Sequence, residues 1–283
     1  MLRPRTVARF VESFPARTPT LPPATHTNAY ALGGREVLLV EPATPYDDER
    51  AAWIAWVAGL RASGRTPVAL FLTHHHPDHV GGARFLAKEL ALPIWAHDET
   101  AKRVDFAIDR RLTEGDAIAL DGPTPQRWSV HHTPGHAPGH LCLLEDESRV
   151  AIVGDMVASE GTILIAPGEG DMGEYLRQLA RMQTWSARVA LPAHGEPIDD
   201  PNALFAGYVM HRLGRERIVV SAVRDAGAEG ATAGELVATA YADTSPALWP
   251  IAVLSLRAHL EKLVREGTVR LDEGERFSLA EAS

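Results

Sequence analysis

Only one cysteine, Cys142, occurs in the 283-residue sequence, so no disulfide can form within the chain. This thiol lies in an apolar run at positions 141–144, and we expect it to be buried rather than to bind a metal. The chain also lacks an excess of positive charge, because its net charge is −9. A chain of this charge has no general attraction to nucleic acid or to an anionic membrane.

Long apolar runs are absent as well. No window approaches the roughly 18 uninterrupted apolar residues that a membrane helix requires, and the first residues lack the continuous apolar segment of a signal peptide. We therefore expect a cytoplasmic protein that does not enter a membrane. Apolar residues still make up 45% of the chain, which is enough to form the core of one large domain and a smaller one.

Histidine is concentrated in one stretch, residues 73–79, which reads THHHPDH and precedes two glycines. Imidazole and carboxylate groups are the usual protein ligands of zinc and related ions. Side chains alternate along an extended loop, so the spacing of His74 and His76, followed by Asp78 and His79, can send side chains in two directions and could serve two metal ions. His75 then points away from its neighbours, and we interpret it as a supporting residue rather than a ligand.

Strands and helices alternate around this loop. Residues 27–40 are typical of a hairpin and residues 49–62 of an amphipathic helix. Residues 68–72 should form a strand that carries the histidine loop at its end, followed by a helix at 80–90. Further short strands are predicted at 94–96, 117–120, 128–131, 141–144, 149–153 and 189–191, with a helix at 173–185. The proline-rich first 23 residues are expected to form an irregular surface arm.

The pattern changes near residue 200, where strands give way to helices. Helices are predicted at about 201–226, 233–241 and 249–266, and the apolar residues of the last one are expected to lie in a core. Residues 268–279 are typical of a hairpin around a glycine turn. Three helices followed by two strands form the outline of a winged helix. We place the domain boundary at residue 207, which divides the chain into domains at 1–207 and 208–283.

Three later segments place a metal-binding type of side chain directly after a predicted strand. His136 lies in the segment TPGHAPGH, Asp155 follows the strand at 149–153, and His194 follows the strand at 189–191. Layered α/β folds gather their sites at the carboxyl ends of strands, so these side chains should meet the histidine loop. His140 is interpreted as a support for His136, because metal-binding histidines need such partners.

With its HxHxDH loop and three later ligands in order, the segment from about residue 25 to 200 resembles the metallo-β-lactamase-fold hydrolases. The resemblance implies an α/β fold, an αββα sandwich of two sheets between helices, with a C-terminal winged-helix-like domain. It implies one metal held by His74, His76 and His136, a second held by Asp78, His79 and His194, and Asp155 bridging them. The expected cofactor is two zinc ions per chain, with iron or manganese as alternatives.

Hydrolysis follows from such a pair of ions. Water between two divalent cations loses a proton near neutral pH and becomes a nucleophile. Asp78 is expected to orient this nucleophile and to pass a proton to the leaving group, so Asp78 and Asp155 are the predicted catalytic residues. Zinc β-lactamases commonly carry a cysteine where this chain has Asp155, which argues against antibiotic degradation. The aspartate type resembles the hydroxyacylglutathione hydrolase, lactonase, thioesterase and ribonuclease branches.

The segments at 170–176 and 258–263 also resemble the lactamase-like endoribonuclease subgroup, in which cleavage of single-stranded RNA is one reported activity. The C-terminal domain, however, carries nine basic and eleven acidic residues, and its predicted wing tip at 272–275 reads DEGE. A wing that binds nucleic acid normally presents lysine and arginine. We therefore interpret this domain as a packing element that shapes the substrate pocket.

Three functions remain open from the sequence. The first is a dinuclear zinc hydrolase of a small ester, thioester or lactone, and the second is a metal-dependent endoribonuclease. The third is a mononuclear iron enzyme that resembles the persulfide dioxygenases. The expected partner is a small molecule, with single-stranded RNA as the alternative, and the C-terminal domain offers a surface for a homodimer.

Overall fold

The computed structural model describes residues 3–280 and shows two β-sheets packed face to face, with helices on both outer sides. The first two and last three residues, which the predicted domains include, lie outside this range. The predicted αββα sandwich with a C-terminal winged helix is confirmed. No helix between residues 3 and 280 is long and apolar enough to cross a membrane.

The first sheet contains seven strands that lie in chain order. They are β1 (Arg5–Ala8), β2 (Val11–Arg17), β3 (His26–Leu32), β4 (Glu36–Val40), β5 (Thr66–Phe71), β6 (Ile94–His97) and β7 (Arg110–Leu112). Strands β1 to β4 are antiparallel, whereas β4 to β7 are parallel. Parallel neighbours need crossover connections, which contain α1 (Asp47–Ala62), α2 (Pro77–Val80), α3 (Ala83–Leu90) and α4 (Asp98–Ala101).

The second sheet contains five strands in the order β12-β11-β10-β9-β8. They are β8 (Ala117–Leu120), β9 (Gln126–His132), β10 (Leu141–Glu145), β11 (Val150–Gly154) and β12 (Val189–Pro192). Only β11 and β12 are parallel in this sheet. Their crossover contains α5 (Met172–Met182) and a short 3-10 helix (Gln183–Trp185).

Alternation along β4 shows how one strand serves two cores. Leu38 and Val40 point into the space between the sheets, where they join Trp128 of the second sheet. Leu39 points the other way and packs with Trp53 of α1. All five side chains are fully buried, as the two-residue period of a strand predicts for a sheet covered on both faces.

The winged helix consists of α6 (Pro201–Asp225), α7 (Ala233–Ala240), a short 3-10 helix (Pro246–Leu248), α8 (Trp249–Arg265), β13 (Val269–Leu271) and β14 (Phe277–Leu279). Helix α6 runs without a break across residue 207. Phe205 near its start lies in the core of the second sheet, whereas Val219 and Val223 lie in the core of the winged helix. The boundary at residue 207 stays a prediction, and α6 joins the two units.

The N-terminal segment differs from the predicted irregular arm, because residues 5–17 form β1 and β2. Val11 and Phe14 of β2 are buried in two different cores. The prolines that suggested an arm are tolerated for a structural reason. Pro15 pairs with Asn28 of β3 but lies beyond the stretch of β2 that pairs with β1, so its missing N–H leaves no partner unsatisfied. Between residues 5 and 25, the two strands are followed by an irregular loop at 18–25.

Two other predictions need correction. The helix expected at 80–90 begins at Ala83, because Gly81 and Gly82 separate it from the short helix α2. A Cβ atom on Gly82 would lie 2.6 Å from the carbonyl oxygen of Thr44, so the chain passes too close for any other residue. In α8, Ile251 and Leu254 are each 37% exposed rather than part of the core.

Candidate metal centre

The seven residues predicted to bind metal all follow strand ends, and their side chains converge. His74, His76, Asp78 and His79 follow β5, His136 follows β9, Asp155 follows β11, and His194 follows β12. Six of them form two groups, which we call the first cluster (His74, His76, His136) and the second cluster (Asp78, His79, His194), and the seventh, Asp155, forms a group with His74 and His79. Four segments far apart in sequence thus supply one site.

Three imidazole nitrogens of the first cluster form a tight triangle. Nδ1 of His76 lies 2.9 Å from Nε2 of His74 and 3.0 Å from Nε2 of His136, and the two Nε2 atoms are 3.2 Å apart. A tetrahedral zinc ion with Zn–N bonds of about 2.0–2.1 Å places its nitrogen ligands about 3.3–3.4 Å apart. The triangle therefore needs only a small expansion to hold such an ion.

Hydrogen bonds on the outer nitrogens fix which nitrogen faces the site. Nδ1 of His136 donates to the carbonyl oxygen of Leu164 at 2.9 Å. Nε2 of His76 donates to a carboxylate oxygen of Glu169 at 2.9 Å. A neutral ring has one N–H, so a ring that donates outward presents an unprotonated nitrogen inward. Both rings therefore present a nitrogen that could bind a metal ion.

Glu41 lies behind both clusters, next to Thr73 on one side and His79 on the other. Thr73 donates its hydroxyl hydrogen to Glu41, and the same hydroxyl oxygen lies 3.0 Å from Nδ1 of His74. The other contact joins Glu41 Oε1 to Nδ1 of His79 at 3.2 Å. Glu41 is buried in a left-handed conformation with a φ of 57°, a strained geometry that tends to persist at functional sites. The sequence analysis missed this residue, although it follows β4 at the same strand-end position as the predicted ligands.

The second cluster is more open and contains a carboxylate. Asp78 Oδ1 lies 3.8 Å from Nε2 of His79, and Asp78 Oδ2 lies 3.6 Å from Nε2 of His194. Nδ1 of His194 donates to the carbonyl oxygen of His26 at 3.0 Å, which again turns Nε2 towards the site. Oxygen and nitrogen atoms thus surround a second position that a metal ion could occupy.

Asp155 lies between the two clusters. Its Oδ2 is 3.5 Å from Nε2 of both His136 and His79, and its Oδ1 is 3.4 Å from Nε2 of His194. The backbone N–H of Asp155 donates to Nε2 of His140 at 3.0 Å. His140 therefore supports Asp155, not His136 as we interpreted from the sequence.

Charges around the site fit a bound cation. Burial lowers the pKa of His136 to about 4, and burial together with the other histidines holds the pKa of His74 well below its ordinary value. Burial would likewise lower the pKa of His79, but Glu41 and the two aspartates outweigh it and raise that pKa well above its ordinary value. Nε2 of His79 and Oδ1 of Asp155 are buried and have no hydrogen-bond partner among the described residues. Such unpaired polar atoms are costly, and a divalent cation would satisfy both.

His75 lies outside both clusters. Its Nε2 is 3.3 Å from Oε1 of Glu169, so His75 and His76 share this carboxylate. Glu169 lies in the irregular segment before α5, where no strand end or motif could have indicated it from the sequence. The supporting role of His75 remains a prediction.

A cavity of about 310 Å³, which we call the metal cavity, opens onto the clusters. Five of the predicted residues line it: His76, Asp78, His136, Asp155 and His194. Leu21, Pro22 and Pro23 form one apolar wall, while Glu160 and Glu169 also line the cavity. The site is therefore accessible to a small molecule, and Glu160 and Glu169 make part of its lining negatively charged.

The chain is similar to known proteins along most of its length. Residues 22–194 match the family model described as the metallo-beta-lactamase superfamily, and residues 232–276 match the beta-lactamase associated winged helix domain. A beta-lactamase-like protein 2 homolog of Caenorhabditis elegans is 29% identical over 261 residues, which cover 89% of this chain and 83% of the relative. An atrochrysone carboxyl ACP thioesterase of Aspergillus chevalieri is 31% identical over 214 residues, covering 74% of this chain and 64% of the relative.

Among solved structures, a metallo-beta-lactamase family protein of Thermus thermophilus superposes with a TM-score of 0.79 at 25% identity. The match covers 96% of this chain and 99% of that protein, so it includes the C-terminal domain. The first family match alone spans more than half of the sequence. This chain therefore belongs to the metallo-beta-lactamase superfamily, as a hydrolase with a C-terminal winged helix.

Proposed function

We propose that this protein hydrolyses a small thioester and uses two zinc ions to do so. The observation that carries the proposal is the position of Asp155, whose carboxylate lies within 3.5 Å of nitrogen atoms from both clusters. A carboxylate in that position can bridge two cations, about 3.5–4 Å apart in two-metal hydrolases. Among small esters, lactones and thioesters, the thioester is favoured by the relative named as an ACP thioesterase.

The residues present fit this cofactor. The first cluster would hold one zinc ion and the second cluster the other, with Asp155 between them. Bound zinc ions lower the pKa of water and polarise a carbonyl oxygen. The chain itself fixes the ligand rings through their outer hydrogen bonds, and residues 21–23 supply an apolar wall of the metal cavity.

Asp78 is the group that we expect to move a proton. Its side chain lines the metal cavity and remains 16% exposed, so it can reach a substrate as well as the cluster. In the overall reaction, the oxygen of water bonds to the acyl carbon, the carbon–sulfur bond breaks, and a carboxylic acid and a thiol leave. Asp78 would take a proton from the water and return it to the departing sulfur.

Two measurements test the proposal together. Zinc-loaded protein should contain two zinc ions per chain and should hydrolyse a thioester, with turnover that stops after treatment with a chelator and returns with zinc. One iron ion per chain with consumption of oxygen would contradict the proposal and support the persulfide dioxygenase alternative.

The RNA alternative is tested at the same zinc content. The thioester and single-stranded RNA should be offered separately to equal amounts of loaded enzyme. Acidic side chains at Glu160 and Glu169 and at the wing tip, 272–275, would repel a polyanion, so we expect RNA to remain intact. Cleavage of RNA that is lost on Asp155→Asn would favour the endoribonuclease instead.

A further inference from the structure

We propose that a second cavity, between the metal-binding domain and the winged helix, binds the negatively charged end of the thiol half of the substrate. This inference rests on the proposed thioester hydrolysis. The cavity has a volume of about 430 Å³, and we call it the junction cavity. Its walls come from the loop at 21–23, the segment at 161–164, and helices α6 and α8.

The junction cavity adjoins the metal cavity. Five residues line both: Leu21, Pro22, Pro23, Thr162 and Leu164. In the proposed binding mode, one elongated molecule places its reacting carbonyl near the metal ligands and extends past these shared residues into the junction cavity. A substrate confined to the metal cavity would leave this second space unused.

Arg212 gives the junction cavity its chemical preference. The residue is 3% exposed and lines the cavity. Its NH2 group donates to Oγ1 of Thr162 at 3.2 Å and to the carbonyl oxygen of Ile163, while its Nε is buried without a hydrogen-bond partner. Its aromatic neighbour, Tyr175, has its ring centre 5.7 Å away. No carboxylate in the described part of the chain forms a salt bridge with it, which is unusual because a buried charge normally has an opposite charge beside it.

The neighbouring arginine on α6 shows the contrast. Arg215 also lines the junction cavity, but it forms a salt bridge of 2.8 Å with Asp243. The metal cavity has the opposite character, because Glu160 and Glu169 line it. The negatively charged end of a substrate is therefore attracted towards Arg212 and repelled by Glu160 and Glu169 in the metal cavity.

Apolar side chains also line the junction cavity. Leu21 and Leu248 are each 50% exposed and Ile251 is 37% exposed, and all three line the junction cavity. Large exposed apolar residues gathered in one place are typical of a binding groove. They would cover the uncharged chain that joins the sulfur atom to its charged end. The thiols of biological thioesters carry a phosphate or a carboxylate, whereas the acyl half need not, which assigns the cavity to the thiol half.

A purely structural role of Arg212 makes a different prediction. Thr162 and Ile163 accept its hydrogen bonds, and the next residue, Leu164, accepts the hydrogen bond of His136. If Arg212 served only to hold this segment, its loss would disturb His136 and lower kcat for every substrate. If it binds the charged end of the substrate, its loss raises KM for charged thioesters alone.

The test compares three thioesters of one acyl group, made with coenzyme A, glutathione and uncharged N-acetylcysteamine. Arg212→Met should raise KM at least about tenfold for whichever charged thioester fits, as expected for the loss of a charged hydrogen bond. KM and kcat for the uncharged thioester should stay within about twofold. The coenzyme A and glutathione arms show whether the site prefers phosphate or carboxylate.

Two further variants keep the test decisive. Arg224→Met, an exposed position on the same helix that lines neither cavity, is the matched control and should change nothing. Ile251→Glu places a negative charge at the partly exposed cavity wall, so it should raise the same KM without disturbing a core. Equal effects of Arg212→Met on charged and uncharged thioesters, or no effect on either, would overturn the proposal.

Binding measurements separate this inference from the proposed function. S-methyl coenzyme A and S-methylglutathione cannot be hydrolysed, and calorimetry should show that one of them binds the wild type and binds Arg212→Met at least about tenfold more weakly. Arg212-dependent binding without turnover of any thioester would refute the proposed function but retain the subsite. Turnover without Arg212-dependent binding would refute the subsite alone.

Discussion

Three imidazole nitrogens define the first cluster of the metal centre, whereas two imidazoles and a carboxylate define the second. The nitrogens of the first are 2.9–3.2 Å apart, close to the spacing that one zinc ion requires. The contacts of Asp78 in the second cluster are 3.6 and 3.8 Å. Hydrogen bonds outside the site orient imidazoles in both clusters, but the atoms of the first are already near the spacing for a metal, whereas those of the second lie further apart and include the negative charge of Asp78.

This difference leads us to expect unequal affinities. Ligands already held in place lose less freedom when a metal binds, whereas the more widely spaced atoms of the second cluster must move closer together. The first cluster should therefore hold its zinc more tightly. Asp155 cannot be assigned to one cluster alone, because its carboxylate contacts residues of both.

The largest effect is expected for Asp155→Asn. This change should weaken zinc binding at both clusters, because Asp155 contacts both. Supporting residues around a metal cost about 10- to 100-fold when removed, so loss of the shared ligand should lower kcat/KM by more than about 1,000-fold. Zinc content and thioester turnover measure the effect on the same sample. Two retained zinc ions with full activity would contradict the bridging role.

Removing one histidine from each cluster should sharpen the distinction. His194→Gln should keep one zinc ion that resists a dilute chelator, while His136→Gln should keep one that is easily removed. Each should lower activity by about 100-fold or more. In the wild type, timed dialysis should release two zinc ions in two steps, and simultaneous release would show that the clusters are equivalent.

A smaller and more even effect is expected for Glu41→Gln. Glu41 contacts Thr73 behind the first cluster and His79 in the second. An uncharged amide of the same shape should weaken zinc binding at both sites, by about 10- to 100-fold. Zinc affinity can be measured by competition with a chelator. A change at only one site would mean that the contact of Glu41 at the other site has no effect on metal binding.

The smallest effect is expected for His75→Gln. Its side chain contacts Glu169 rather than either cluster, and a glutamine can still donate to that carboxylate. Zinc content should remain at the wild-type level and turnover should change by less than about threefold, as is common for a polar residue outside the ligand set. Loss of a zinc ion would instead make His75 a ligand, against the sequence prediction.

The sequence predicted which side chains would converge because two independent signals coincide there. His136, Asp155 and His194 combine a metal-binding side chain with a position after a strand, and both properties can be seen without a structure. Glu169 shows neither strand end nor motif. Strand β2 was not predicted because it contains Pro15. A proline is tolerated there because β1 pairs only with residues 11–13 of β2. That depends on tertiary pairing, which local sequence patterns do not contain.

Arg212 shows the same limit from another direction. In the sequence it is one of several arginines along a long helix, and most such residues face solvent. Its burial follows from how α6 packs against α5 and the segment at 161–164. The absence of a paired carboxylate among the described residues can be seen only once all of its neighbours are known.

The continuity of α6 has a consequence for how the protein unfolds. The helix has 25 residues and a length of about 37 Å. One half completes the core of the second sheet through Phe205, and the other half completes the core of the winged helix through Val219 and Val223. Neither unit can lose its structure without removing part of the support of the other. The metal-binding domain and the winged helix should therefore unfold in a single cooperative thermal transition.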